Sequence, residues 1–390
     1  MVSPDQRSPD TTPHGRRFEH LDLLRGGAAL LVLLGHVRGF VFVDYAPTGG
    51  HWAAPFYALT SLGHQAVILF FALSGFLVGG RALAEIGAGR WSLPNYAVHR
   101  LARLWTALIP ALIATAVLDA LGRDVLHLAG YTGEYATILS SGPAPGTDPT
   151  TLAAFFGNIF FLQTIAVPVF GTNGPLWSLA NEFWYYVLVP AAWLALARSS
   201  TPSARTAAAL TVLGILIMLP LPILALASIW LAGALAWQMS DRIAALPRRR
   251  FTMLLALIIA ATLAAIVIAR AHADLTSDIM LGLACAAALP CLARLPNLGG
   301  VYGRLTFYSS EISFTLYVGH FPLIALLWFA TLAPTQFPVG FPGFAAFAAL
   351  VIAALAYATV MWWAFERHTA GVRCLMQRPF RAARFNDRPA

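Results

Sequence analysis

The sequence predicts an all-α, polytopic integral membrane protein of about ten transmembrane helices with both termini cytoplasmic. Three observations carry this expectation. Of 390 residues, 58% are hydrophobic and only 11% charged, against roughly a quarter charged in an ordinary soluble domain. Such a chain cannot cover itself with a solvated surface, and the bilayer must supply much of its environment. The mean hydropathy of +0.70 comes from apolar stretches long enough to cross ~30 Å of hydrocarbon, separated by short polar segments. The arginines, finally, sort onto alternate loops.

Spans are expected at 22–43, 62–79, 104–122, 177–197, 206–222, 223–239, 251–269, 278–293, 307–329 and 342–364. The apolar piece 155–169 is interrupted by Asn158, Gln163 and Pro168 and ends in Gly171-Thr172-Asn173-Gly174, so it is expected to be re-entrant or interfacial. With the N-terminus inside, Arg81, Arg90, Arg100, Arg103, Arg198, Arg205, Arg242, Arg248-Arg249-Arg250, Arg294 and Arg304 all fall on the cytoplasmic side, as do both tails. Only Arg38, Arg123 and Arg270 fall outside. This is the positive-inside asymmetry, and counting 155–169 as a crossing would invert it after Ala197. Residues 1–20 are then a cytoplasmic tail, 21–370 the membrane domain, and 371–390 a basic tail expected to sit on anionic lipid. The first span carries Arg25 and His36 behind a polar stretch with no small-residue cleavage site, so it is not a removable signal.

The composition excludes other classes. The apolar content is far above that of disordered chains. Cys285, Cys291 and Cys374 form no CxxC pair and have no histidines at ligand spacing, which argues against a disulfide framework or a structural metal. The net charge of +8 does not point to nucleic acid, because no polar domain clusters the arginines among aromatics.

Ionisable groups at membrane depth mark function. Arg25 and His36 lie eleven residues apart on the first span, hence on one helical face and ~16 Å apart along the axis. Arg25 is near the cytoplasmic edge and His36 about two-thirds of the way across. Arg100 and Arg103, at i and i+3 on what reads as the first turn of the third span, face one way and suit a phosphate. Glu182 in Trp177-Ser178-Leu179-Ala180-Asn181-Glu182, and His320 in Ser313 to Pro322, count to a depth similar to that of His36. Packing histidines and topology-setting arginines explain each feature singly. Ser74-Gly75-Phe76 reads first as a close helix contact, with Ser74 kept as a donor-site candidate. Asp119, Asp278 and Glu311 lie near span ends where hydration suffices, and Glu366 is expected to pair with Arg367. A Ser-His-Asp reading through Ser178 lacks a GxSxG elbow.

In this order, Arg25-(ten residues)-His36, Phe70-Phe71-Ala72-Leu73-Ser74-Gly75-Phe76-Leu77, Arg100-Leu101-Ala102-Arg103, Trp177 to Glu182 and Ser313 to Pro322 resemble the membrane-bound acyltransferase-3 family, the bacterial O-acyltransferases of polysaccharides, cell-wall sugars and glycosylated small molecules. The resemblance covers nearly the whole chain. It implies a cell-membrane enzyme that moves an acyl group, acetyl in the simplest case, from cytoplasmic acyl-CoA to a hydroxyl of a carbohydrate or glycosylated acceptor. It implies that His36 is essential and that Arg25, Arg100 and Arg103 hold the CoA phosphates. His36 is then expected to act as general base, by direct transfer or through a transient acyl-histidine, with Glu182 and His320, at a similar depth, as candidate orienting or acceptor-binding groups. No permanently bound cofactor, metal or nucleic acid is implied. The chain departs from the family's pattern in Phe183-Trp184-Tyr185-Tyr186, where a second acidic residue or Gln is frequent, and in His368, where proline is common. The rival class is a transporter of a lipid-linked sugar or small anion, which paired broken helices in inverted repeats would favour. None is visible.

Overall fold

In a computed structural model, residues 17–46, 51–139 and 149–386 are described, with side chains to 379. The expectations for residues 1–16, for the loop around Pro145 and for Arg388 therefore lie outside the described residues.

Each of the ten expected spans is helical. They are α1 (Glu19–Val41), α3 (Gly63–Ser74), α5 (Leu93–Ala120), α7 (Trp177–Leu196), α8 (Pro202–Met218), α9 (Leu221–Gln238), α11 (Arg248–Ala271), α12 (Leu275–Arg294), α13 (Gly300–Thr331) and α14 (Phe341–Ala364). Short helices α2 (Ala54–Thr60), α4 (Gly80–Gly87), α6 (Leu152–Ile159) and α10 (Ser240–Ala244) intervene, and α15 (Thr369–Asn386) closes the chain. Among the described residues, eight helical spans are long and apolar enough to cross a membrane, which makes this a multi-pass integral membrane protein. The other two segments fail for visible reasons. Helix α8 has 17 residues, and α7 has 20 but spends its hydropathy on Asn181, Glu182 and a run of Trp and Tyr.

Hydrophobicity and burial part company at the extremes. Helix α11 has the highest hydropathy, 2.8, and is 11% buried; α13 has a hydropathy of 1.6 and is 78% buried. Lipid is as apolar as leucine, so the outer helices need only be greasy. The inner one carries the polar groups that lipid would penalise. Helix α13 runs parallel to α1 and packs along its whole length. Arg25 donates to Ser310 at 2.9 Å near one end of the pair, and His36 meets His320 at 2.8 Å near the other.

Helix α3 continues through a π-helical turn, Gly75–Gly79, into α4. Here the backbones of α3 and α9 touch. A Cβ on Gly75 would stand 2.0 Å from the Trp230 carbonyl oxygen, and one on Gly233 2.2 Å from that of Ala72. Only glycine permits the approach, the small-residue packing typical of membrane helices.

Several boundaries and pairings need correction. Helix α5 begins at Leu93, not 104, so Arg100 and Arg103 stand two turns inside it. Helix α6 has eight residues, a rise of about 12 Å, too short to cross. Asn158 ties its end back by donating to the carbonyls of Ala154 and Pro168 and accepting from the Phe170 amide. Asp119 is not hydrated. It is buried and accepts from both the amide and the hydroxyl of Thr172, each at 2.7 Å. Glu366 pairs with Arg103 and accepts from the amide and hydroxyl of Thr315, while Arg367 lies over the Trp363 ring. The basic tail is helical through α15 and packs against α5.

Candidate active site: two cavities that share one tyrosine

One cavity, of about 360 Å³, opens between α1, α3, α4, α5, α7 and α13 toward the end of the bundle where α1 begins. Arg25, Arg81, Arg100 and Arg103 line it, with Ser74, Glu182 and Tyr186. Its groups are linked. The Trp230 indole donates to Ser74 at 3.1 Å, Ser74 to the Tyr186 hydroxyl at 3.2 Å, and Tyr186 to the Glu182 carboxylate at 2.5 Å. Arg25 lies 3.9 Å from Asp22. Arg103 is held by the buried Glu366, and Arg100 reaches over the Tyr186 ring at 6.0 Å. Four arginines in one concavity, facing the carboxylate of Glu182, leave a cationic surface suited to phosphate groups.

The second cavity, of about 440 Å³, lies toward the other end and is lined by His36, Arg38, Thr60, His64, Trp177 and Tyr317, among others. Tyr317 lines both cavities. Its hydroxyl donates to the Pro175 carbonyl at 2.9 Å and receives the Ser178 hydroxyl at 2.6 Å. The loop that supplies Pro175 is anchored in turn. Asn173 donates to Thr115 and to the Val318 carbonyl, and Gly171, at φ +60, sits where a Cβ would fall 2.2 Å from an Asp119 carboxylate oxygen.

In the second cavity the imidazoles can be assigned by elimination. His320 is fully buried, and its Nδ1 faces the Leu316 carbonyl at 2.7 Å. A carbonyl only accepts, so this nitrogen carries the proton and Nε2 is the acceptor. The partner at 2.8 Å, His36 Nδ1, must then be the donor. That leaves Nε2 of His36 with its lone pair.

The structure thus brings His36 and His320 together and puts Arg25, Arg100, Arg103 and Ser74 around the other cavity. Glu182 does not join the histidines; it faces the arginines through Tyr186. Ser178 bonds the Tyr317 hydroxyl and, among the described residues, no histidine, which gives the triad reading no support. The residues that sequence reasoning missed are His64 and Asp278. His64 Nε2 donates to both carboxylate oxygens of Asp278, at 2.9 and 2.8 Å, and its ring stacks near Trp177. Asp278 stands one turn inside α12, whose start is fixed by Asp274. That residue accepts the Ser277 amide at 2.8 Å, and this bond holds its carboxyl below the usual range. A faint signal existed: both groups lie in the first turn of helices entering from the same side.

A family model described as an acyltransferase domain matches residues 18–363. The chain belongs to the acyltransferase-3 family. It is therefore an acyltransferase acting on hydroxyl groups, and the transporter reading falls. Comparison with curated proteins and comparison with solved structures each return no match. The match takes in both cavities of the acyltransferase, including every helix that contributes to them.

Proposed function

We propose that this acyltransferase moves an acetyl group from cytoplasmic acyl-CoA to a hydroxyl of a carbohydrate or glycosylated acceptor, with His36 as general base. The arginine-lined cavity takes the phosphates of CoA from the cytoplasmic side. The histidine-lined cavity takes the acceptor. The observation that carries this reading is the His36–His320 contact, which leaves a basic nitrogen on His36 in a cavity that shares Tyr317 with the arginine-lined one. The acceptor oxygen attacks the thioester carbonyl as His36 Nε2 takes its proton. The C–O bond forms, the C–S bond breaks, and the departing thiolate receives the proton back from the imidazolium. The bond to the lone pair of His320 supports the charge that the His36 ring carries in between, and it fixes the ring's orientation. Arg25, Arg100 and Arg103 hold the donor by charge-assisted bonds. Arg100 is the one least tied down by an acid.

The test uses purified protein, acetyl-CoA labelled in the acyl group, and a panel of glycosides. Label recovered on a glycoside with wild-type protein and lost with His36→Ala supports the reading. Transfer by His36→Ala at near wild-type rate would remove the histidine from the chemistry.

A further inference from the structure

Among the described residues, the acceptor cavity carries a cation with no ion-pair partner. Arg38 lines it, two residues after His36 on α1. Its guanidinium lies 5.5 Å from the Tyr57 ring centroid, and among the described residues no carboxylate lies within ion-pair distance of it. Its Nε is buried and has no hydrogen-bond partner. The donor cavity is built differently, since Arg25 and Arg103 there both have acidic partners. The remaining groups of the acceptor cavity do not supply the missing charge. Its described lining includes the neutral hydroxyls Thr60 and Ser61 and the imidazoles His36 and His64, but no carboxylate. Of the acids nearby, Asp278 has both oxygens occupied by His64, and Asp44, which acts on Tyr57 from a distance, makes no ion pair with Arg38.

Placement in the last turn of α1 favours a cation through the helix dipole and accounts for a basic residue at this position. It does not account for the residue facing the acceptor cavity, nor for a dry N–H without an acceptor, which costs free energy in any folded protein. Arg38 is also one of the few arginines that break the positive-inside pattern. A cationic fork that lines a concavity and lies over a tyrosine ring suits a planar or tetrahedral anion.

Building on the acyltransferase reading, we propose that the acceptor is an anionic sugar, one bearing a carboxylate or phosphate, and that Arg38 is the residue that selects it. The anion lies against Arg38 while the hydroxyl to be acylated faces His36. An uncharged sugar would leave the guanidinium unpaired and would bind less tightly.

Equilibrium binding to purified wild-type protein tests this with three probes: methyl β-D-glucuronide, methyl β-D-glucoside 6-phosphate, and neutral methyl β-D-glucoside. At least one anionic probe is expected to bind ~tenfold or more tightly than the neutral one, a difference in line with a charge-assisted hydrogen bond, and to weaken as salt is raised. The two anionic probes tell carboxylate from phosphate. Arg38→Gln should erase the preference, and Arg38→Lys should retain part of it, which separates loss of charge from loss of fold. Equal binding of all three probes, binding of none, or a preference that survives in Arg38→Gln overturns the proposal. Acyl transfer measured in parallel keeps the two readings apart. Transfer to the neutral glucoside as good as to the anions sinks the charge selection and leaves the acyltransfer reading standing, whereas anion binding without transfer does the reverse.

Discussion

The arginine-lined and histidine-lined cavities share Tyr317 and differ in how their polar groups are held. In the first, long side chains from α1, α4 and α5 converge; Arg25 lies by Asp22 of its own helix, and Arg103 is steadied by Glu366, 263 residues beyond it. In the second, short rings are fixed by close partners: His36 by His320, which the Leu316 carbonyl holds from behind, and His64 by the Asp278 carboxylate. Long cations on flexible stems can follow the several oxygens of a bulky anion. Proton transfer needs a nitrogen held within a few tenths of an ångström of its target. The two constructions match two tasks, holding and reacting.

That division can be broken most sharply at His36. His36→Ala is expected to lower turnover by ~10²- to 10⁴-fold while acyl-CoA affinity, measured by calorimetry, stays within error of wild type. A parallel loss of donor affinity would mean that the cavities do not divide the work. The next largest effect should be structural. Arg103→Ala strands the buried Glu366, with an expected destabilisation on the order of 3 kcal/mol, read as earlier thermal inactivation in detergent. Adding Glu366→Gln should restore most of that stability, and failure to do so would show that Arg103 is held by something other than this pair. Arg100→Ala should weaken acyl-CoA binding about tenfold without an equivalent stability loss, with Arg100→Lys intermediate. Unchanged affinity in Arg100→Ala would return that arginine to a purely topological role. The smallest effect is expected at Glu182→Gln, whose amide oxygen can still accept from Tyr186. A change in turnover of less than about threefold fits one retained neutral hydrogen bond. A loss comparable to that of His36→Ala would show that the carboxylate acts on the chemistry.

The spans were legible because hydropathy and arginine placement depend on local sequence alone. Counting residues along a helix also brought His36 and His320 to one level. The same count misplaced Glu182, which lines only the arginine-side cavity while His36 lines only the other, on either side of Tyr317; a count from a guessed span boundary carries that boundary's error. The pairs His64–Asp278 and Arg103–Glu366 were hidden for a different reason. Each joins residues more than two hundred positions apart, and near a span end an acid alone is explained by water. Asp119 was misjudged likewise, because only the folded loop at Thr172 removes it from solvent.

Tyr317 has an electrical consequence. Where polar cavities enter a membrane protein from both ends, the transmembrane voltage drops mainly across the wall between them, which here includes the Tyr317 ring and its hydrogen bonds. Any charge passing that wall would feel most of the field, worth ~2.3 kcal/mol per charge at 100 mV. An acyl group is uncharged. On the proposed reaction it crosses without electrical work, while the CoA phosphates remain on their own side. The rate of transfer should then be nearly indifferent to membrane potential.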